Sequence, residues 1–227
     1  MGKEPRVVLI VPTLNESEGI VPTISEYVAK VPQLRVLVID GCSTDGTPNA
    51  AGMVACVHIE TVAGGKGIAI LKALEVMRET SPPKYVIVTD GDHTYPADTV
   101  PRMLNQLEER QDVGMILGDR FHRHKVPDLM SDIYVFGNAL LRALHRVING
   151  IRLNDPLSGL RVIRWEAIRD WKPRSKGFDV EAEMNIYLRA NGWQIEECPI
   201  DYRPRMGHKK LRVWHGATIL VRMLRGA

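Results

Sequence analysis

Three stretches of this chain share one form, a run of apolar and mostly β-branched residues that stops abruptly at polar ones. They are "RVVLIVPTLN" (6–15), "LRVLVIDGCSTDGT" (34–47) and "YVIVTDGD" (85–92). An unbroken apolar run of this length suits a strand covered on both faces, as in a parallel sheet sandwiched between helices. Residues 17–30 keep Ile20, Val21, Ile24, Tyr27 and Val28 on one helical face, and residues 66–79 do the same with Ile70, Leu71, Leu74 and Met77. "VGMILG" (113–118) adds a fourth strand after a helix near 98–109. Strand, helix and strand at this spacing predict right-handed βαβ units, hence an α/β, doubly wound, mostly parallel sheet with helices on both faces. A chain of 227 residues is long enough for one substantial core, so a single domain is expected.

Composition narrows the setting. Cys42, Cys56 and Cys198 are odd in number and form no CxxC pair, which predicts neither a disulfide framework nor a structural zinc site and suits a reducing cytoplasm. The N-terminus carries no signal-peptide pattern, and no run approaches the roughly 18 apolar residues of a membrane span. The net charge is only +3, yet from Arg203 onward there are seven Lys or Arg residues and no Asp or Glu. No helix-turn-helix, zinc-finger or RNP-like pattern accompanies that charge, so nucleic acid is not the expected partner. A phosphate-bearing small molecule or an anionic membrane surface is.

Ligands of such sheets bind beyond the carboxyl ends of the strands. Here three successive strand ends carry polar groups: Thr13, Asn15 and Glu16, then Asp40, Ser43 and Asp45, then Asp90 and Asp92. Each set could simply cap helices and form turns. The Asp90–Asp92 pair is the sharpest feature, because like charges so close raise one another's pKa unless a cation lies between them. All-oxygen ligation points to Mg²⁺ or Mn²⁺ at Asp90 and Asp92, with His93 alongside as a further ligand candidate.

"VPTLNE", "VIDGCSTDGT", "GGKGIAI", "TDGDHTYPAD", "GDR", "DPLSGLR" and "GFDVEAEM" follow one another along nearly the whole chain. In order and spacing they resemble the family-2 glycosyltransferases of GT-A (Rossmann-like) fold. Within that family the chain is most similar to the polyprenyl-phosphate glycosyltransferases, the group of the dolichyl-phosphate mannose synthases and their glucose and N-acetylglucosamine relatives. The resemblance implies inverting, metal-dependent transfer of a sugar from a nucleotide-diphosphate sugar to a polyprenyl or dolichyl phosphate, for glycan or glycolipid assembly. It divides the chain into a nucleotide-sugar-binding half (1–120) and an acceptor and membrane-interface half (121–227). A sugar nucleotidyltransferase would place a Gly-rich basic loop where "PTLNESEGI" stands. A non-catalytic recruitment module would not need the intact Asp90 and Asp92.

The same resemblance assigns residues. Pro12, Thr13, Asn15, Glu16, Asp40, Asp45, Lys66 and Asp90 are implied to shape the nucleotide pocket. Asp92, Arg120 and Asp179 are implied to be catalytic, with Glu181 and Glu183 as further candidates for contact with sugar hydroxyls. Arg120, Arg205, Lys209 and Lys210 are implied to hold the acceptor phosphate, and Asp155 and Ser158 to face the sugar or acceptor. A phosphate monoester with a second pKa near 6 is already ionised, so its site needs positioning cations rather than a general base. The chain departs from the family at Thr94, where relatives often carry Gln, at Gly41 after Asp40, where they read Asp, and at Lys209 in place of Ser. Gly41 and the Gly65-Lys66-Gly67 segment favour a UDP-sugar over GDP-mannose.

Two stretches bear on the lipid. Residues 126–150 are apolar with helical spacing at Ile133, Phe136, Leu140, Leu144 and Ile148, and "LRVWHGATILVRMLRGA" sets Trp214, Ile219, Leu220, Met223 and Leu224 against Arg212, Arg222 and Arg225. Residues 126–150 read as a core helix, for which the resemblance implies an interface helix on the membrane, and the basic amphipathic C-terminal stretch can itself lie in the headgroup layer. The expectation is a peripheral protein on the cytoplasmic face of a membrane.

Overall fold

The computed structural model describes residues 7–122, 139, 142–143, 145–207 and 215–225. Seven strands form one sheet: β1 (Val7–Thr13), β2 (Leu34–Asp40), β3 (Val57–Thr61), β4 (Tyr85–Val88), β5 (Val113–Asp119), β6 (Arg161–Arg164) and β7 (Gln194–Pro199). Their order is β3-β2-β1-β4-β6-β5-β7, with β6 antiparallel to both neighbours and the other pairings parallel. The helices are α1 (Ile20–Lys30), α2 (Thr47–Gly52), α3 (Lys66–Glu79), α4 (Val100–Glu109), α5 (Trp165–Ile168), α6 (Val180–Ala190) and α7 (His215–Arg225).

Side-chain alternation along the strands splits the core into two layers. Val7, Leu9 and Val11 of β1 join Ile20, Ile24 and Tyr27 of α1 and Met103 and Leu107 of α4 on one face. Val8 and Ile10 join Ile70, Leu74 and Met77 of α3 and Val180 and Met184 of α6 on the other. Every residue of β1, β4 and β5 is buried, which is why these strands are unbroken apolar runs. The edge strands β3 and β7 are only partly covered and carry charge, so their sequences do not stand out.

Strand β6 escapes a hydropathy reading for a different reason, since it begins and ends in arginine yet is fully buried. Arg164 donates to the carbonyls of Leu107 (2.5 Å) and Arg110 (3.2 Å), closing the C-terminal turn of α4. Arg161 donates to the Ser158 and Pro156 carbonyls and to Asn185 Oδ1 (2.7 Å). Asn185 also lies 3.3 Å from His145, whose other ring nitrogen is 3.2 Å from the Asn149 amide.

Ile219 and Met223 of α7 pack on Ala182, while Val221 and Leu224 are exposed. The C-terminal helix therefore docks on the fold and also presents an apolar face outward. Ile133, Phe136, Leu140, Leu144 and Trp214 lie outside the described residues. Among the described residues no helix is long and apolar enough to cross a membrane.

Burial first, and the Arg161 charge second, push the His145 pKa down to about 4 from its ordinary 6.5. A base depressed in the folded state contributes stability that is complete above 6.5 and is lost as pH falls toward 4. His145→Gln should flatten that part of the stability profile. A thermal-denaturation series across this window in which both proteins lose Tm equally would contradict the assignment.

Candidate active site

The carboxyl ends of β1 and β4 open onto a cleft of about 460 Å³, lined among others by Pro12, Thr13, Glu16, Lys66, Asp90, Asp92, Arg120, Glu181 and Arg205. Tyr95, Leu157, Phe178, Tyr202 and Ile219 supply apolar wall. The site thus gathers residues from both halves of the chain.

Each of the two strand-tip carboxylates meets a cation from another element. Lys66, the first residue of α3, reaches Asp90 Oδ1 at 2.6 Å and Glu181 Oε1 of α6 at 2.6 Å. Burial works against the Lys66 charge, but Asp90 and Glu181 overcome it and hold the ammonium above its usual pKa. Burial likewise opposes the Asp90 charge, but Lys66, with Arg205 and Arg120 behind it, leaves that carboxyl below the usual range. Asp92 goes the other way: burial and the neighbouring Asp90 charge raise it, despite hydrogen bonds from Thr94 and the proximity of Arg205. Arg205 lies 3.2 Å from Asp92 Oδ2 and also pairs with Glu16. It is brought there by a segment that hydrogen-bonds along residues 92–94, with the Met206 amide on the Asp92 carbonyl and the Arg203 amide on the Thr94 carbonyl, both at 3.0 Å.

Two carboxylates one residue apart, with Asp92 raised by its neighbour, form a donor set suited to a hard divalent cation that would relieve the repulsion. His93 does not join it. The His93 ring is turned to Glu26 (3.0 Å) and Arg203 (3.0 Å), with its backbone at φ 61°. Among the described residues there is no cluster of three His, Cys, Asp or Glu able to hold a metal, so a cation here would need further ligands from water or a bound ligand.

Arg120 is fixed from several sides. Its Nε and Nη2 donate to Asp155 at 2.5 and 2.7 Å, and it stacks near the rings of Tyr95, Phe121 and Tyr202. The partner is Asp155, 35 residues away, rather than the adjacent Asp119, which accepts from the Phe121 amide. Asp155 and Ser158 are completely buried and neither lines the cleft; Asp155 supports Arg120 from beneath its surface.

Other expected residues act at one remove. Asp40 accepts from the Ser43 amide and hydroxyl, and Asp45 from Ser17 and Thr47. Slight burial opposes the Asp45 charge, but these hydrogen bonds hold its pKa far below the usual range. The Asn15 side chain accepts from the Thr44 amide at 2.8 Å. These residues tie the β1 and β2 loops together beneath the cleft. Asp179 does not line the cleft; it faces Arg222 of α7 at 3.2 Å, and Glu183 accepts from the Arg174 and Ser175 amides. Of the three acids in "GFDVEAEM" it is Glu181 that faces the cleft. Asp179, which the resemblance implied to be catalytic, pairs with Arg222, and the Lys66 contact sets Glu181 apart. Lys209 and Lys210 lie outside the described residues.

The Lys66 bridge needs close backbone approach. A Cβ on Gly67 would sit 2.0 Å from the Ser175 carbonyl oxygen and one on Gly65 2.5 Å from that of Lys176, so the start of α3 meets the 175–177 loop only with glycine at both positions. Gly67→Ala should destabilise the chain by about 1–3 kcal/mol through overpacking, read by urea denaturation. A variant as stable as the parent would show that this contact is not tight.

A Glycosyl transferase family 2 model matches residues 8–168. The chain is 35% identical over 199 residues to glycosyltransferase AglJ of Haloferax volcanii, covering 88% of this chain and 63% of that protein. It is 31% identical to the dolichyl-phosphate hexose transferase of Haloferax volcanii, covering 82% and 77% respectively. In structure it is similar to glucosyl-3-phosphoglycerate synthase from Mycobacterium tuberculosis, solved with Mn²⁺, UDP-glucose and phosphoglyceric acid. That likeness has a TM-score of 0.71 at 20% identity, covers 96% of this chain and 78% of the other, and bears on the fold.

Proposed function

Because this chain belongs to glycosyl transferase family 2, we propose that its cleft moves a sugar from a nucleoside-diphosphate sugar to a polyprenyl or dolichyl phosphate, with inversion, at a membrane surface. One observation carries the proposal: a carboxylate pair and three cationic side chains, Lys66, Arg120 and Arg205, converge on one cleft at the strand ends. Such a site suits two anions at once, one a diphosphate held through a divalent ion and the other a phosphate acceptor.

In this reading Asp90 and Asp92 hold Mg²⁺ or Mn²⁺. When bound, the ion supplies Lewis-acid stabilisation of the departing diphosphate. Lys66 already lies against Asp90 and is placed to contact the donor's phosphates. Pro12, Thr13 and Glu16 wall the nucleotide side of the cleft. Arg120 spends Nε and Nη2 on Asp155, which leaves the Nη1 donors for an acceptor phosphate. Held by Asp155 and three rings, it is oriented before any ligand arrives, which lowers the entropic cost of positioning. Arg205 is the second acceptor cation, with Lys209 and Lys210 following it in sequence. Glu181 is the acid proposed to meet a sugar hydroxyl. A UDP-sugar is proposed ahead of GDP-mannose, on Lys66 and on the Asp40-Gly41 loop.

The test is incubation with a panel of UDP- and GDP-sugars, Mg²⁺ or Mn²⁺ and polyprenyl phosphate, followed by mass analysis of the lipid. One sugar should be added to the lipid phosphate, and Asp92→Ala should reduce the product to background while keeping the Tm of the parent. Turnover that persists in Asp92→Ala, or in the parent with the ion chelated, would defeat the metal assignment.

A further inference from the structure

A second concavity, of about 710 Å³, lies apart from the cleft and is lined by Arg142, Arg146, Val147, Arg152, Asn154 and Glu197 among others. Arg142 and Arg146 both line it, four residues apart in sequence. Arg152 adds a third positive charge, and all three arginines are exposed.

Among the described residues no carboxylate pairs with any of the three. Glu197 is the acid of this groove, and both its oxygens are already occupied by the amides of Asn154 and Asp155, each at 2.7 Å. Burial raises the Glu197 pKa to about 7, against those hydrogen bonds, which further weakens it as a counter-charge. Among the described residues the groove therefore presents three guanidinium groups and, in Glu197, one carboxylate already held by backbone amides.

Its rim is apolar. Val147, which lines the groove, is 82% exposed, and Ile148 next to it in sequence 42%. Guanidinium groups beside exposed branched aliphatics suit a headgroup phosphate with acyl chains close by, and are poorly matched to a fully hydrated small anion.

We infer that this groove binds the phosphate of an anionic phospholipid headgroup, at a site separate from the catalytic cleft. The two sites share one turn. Asn154 lines the groove, and the next residue, Asp155, clamps Arg120 in the cleft. A headgroup seated among Arg142, Arg146 and Arg152 would hold the Arg120 side of the cleft against the bilayer.

The experiment is flotation of the full chain with phosphatidylcholine vesicles with and without phosphatidylglycerol. Binding should require phosphatidylglycerol. The combined Arg142→Gln, Arg146→Gln, Arg152→Gln variant should bind on the order of a hundredfold more weakly, about 3 kcal/mol at 1.4 kcal/mol per tenfold. Lys30→Gln, Arg110→Gln, Arg169→Gln, a control triple of exposed cations, removes the same net charge elsewhere and should lose far less. Equal loss in both triples, or none in the groove triple, overturns the inference. So does inorganic phosphate stabilising the parent through these arginines without any vesicle preference. The Tm increase given by UDP or GDP with Mn²⁺ should persist in the groove triple, and losing it together with vesicle binding would show that the groove is not separate from the cleft. A parent chain that floats with phosphatidylglycerol yet shows no nucleotide shift would support the groove while removing the proposed cleft chemistry.

Discussion

Two carboxylates one residue apart at the tip of a buried strand repel each other, and much of the surrounding structure serves to neutralise them. Lys66 arrives from the start of α3 and Arg205 from the segment between β7 and α7, so elements distant in sequence are drawn to one point. Lys66 also reaches Glu181, which ties α6 to the same point. Packing there leaves no room for a side chain at Gly159, where a Cβ would sit 2.4 Å from Asp90 Oδ2. The arrangement holds Asp90 as a carboxylate beside an open cleft, while burial and the Asp90 charge still raise the pKa of Asp92.

A second polar chain supports the other side of the cleft. Glu197 binds the amides of Asn154 and Asp155, Asp155 grips Arg120, and Arg120 is enclosed by Tyr95, Phe121 and Tyr202. Buried ion pairs of this kind add little net stability, because desolvation offsets the attraction, but they do hold a side chain in one orientation. For a site that positions an anion, orientation is the useful quantity.

The parallel half of the fold was legible because its strands are buried on both faces and its helices are amphipathic. The predicted helix 66–79 coincides with α3, and the apolar runs correspond to β1, β2, β4 and β5. Strands β3 and β7 were missed because partly exposed edges tolerate charge. Strand β6 was missed because Arg161 and Arg164 are buried through hydrogen bonds to carbonyls, a solution hydropathy does not register. At the site, Asp90, Asp92, Lys66, Arg120 and Arg205 could be nominated from motifs, but their partners could not. The Arg120–Asp155 and Lys66–Glu181 pairs join distant segments, and Asp179 proved to face Arg222 instead of the cleft.

The β4-tip carboxylates and the cleft beside them are proposed to bind a divalent ion together with a nucleoside diphosphate. Electron paramagnetic resonance of free Mn²⁺, titrated with the protein in the presence and absence of UDP or GDP, tests it most directly. The expected result is a bound Mn²⁺ whose affinity rises when nucleotide is added, and the loss of that enhancement in Asp90→Asn. Mn²⁺ binding that is indifferent to both nucleotide and Asp90 would contradict it.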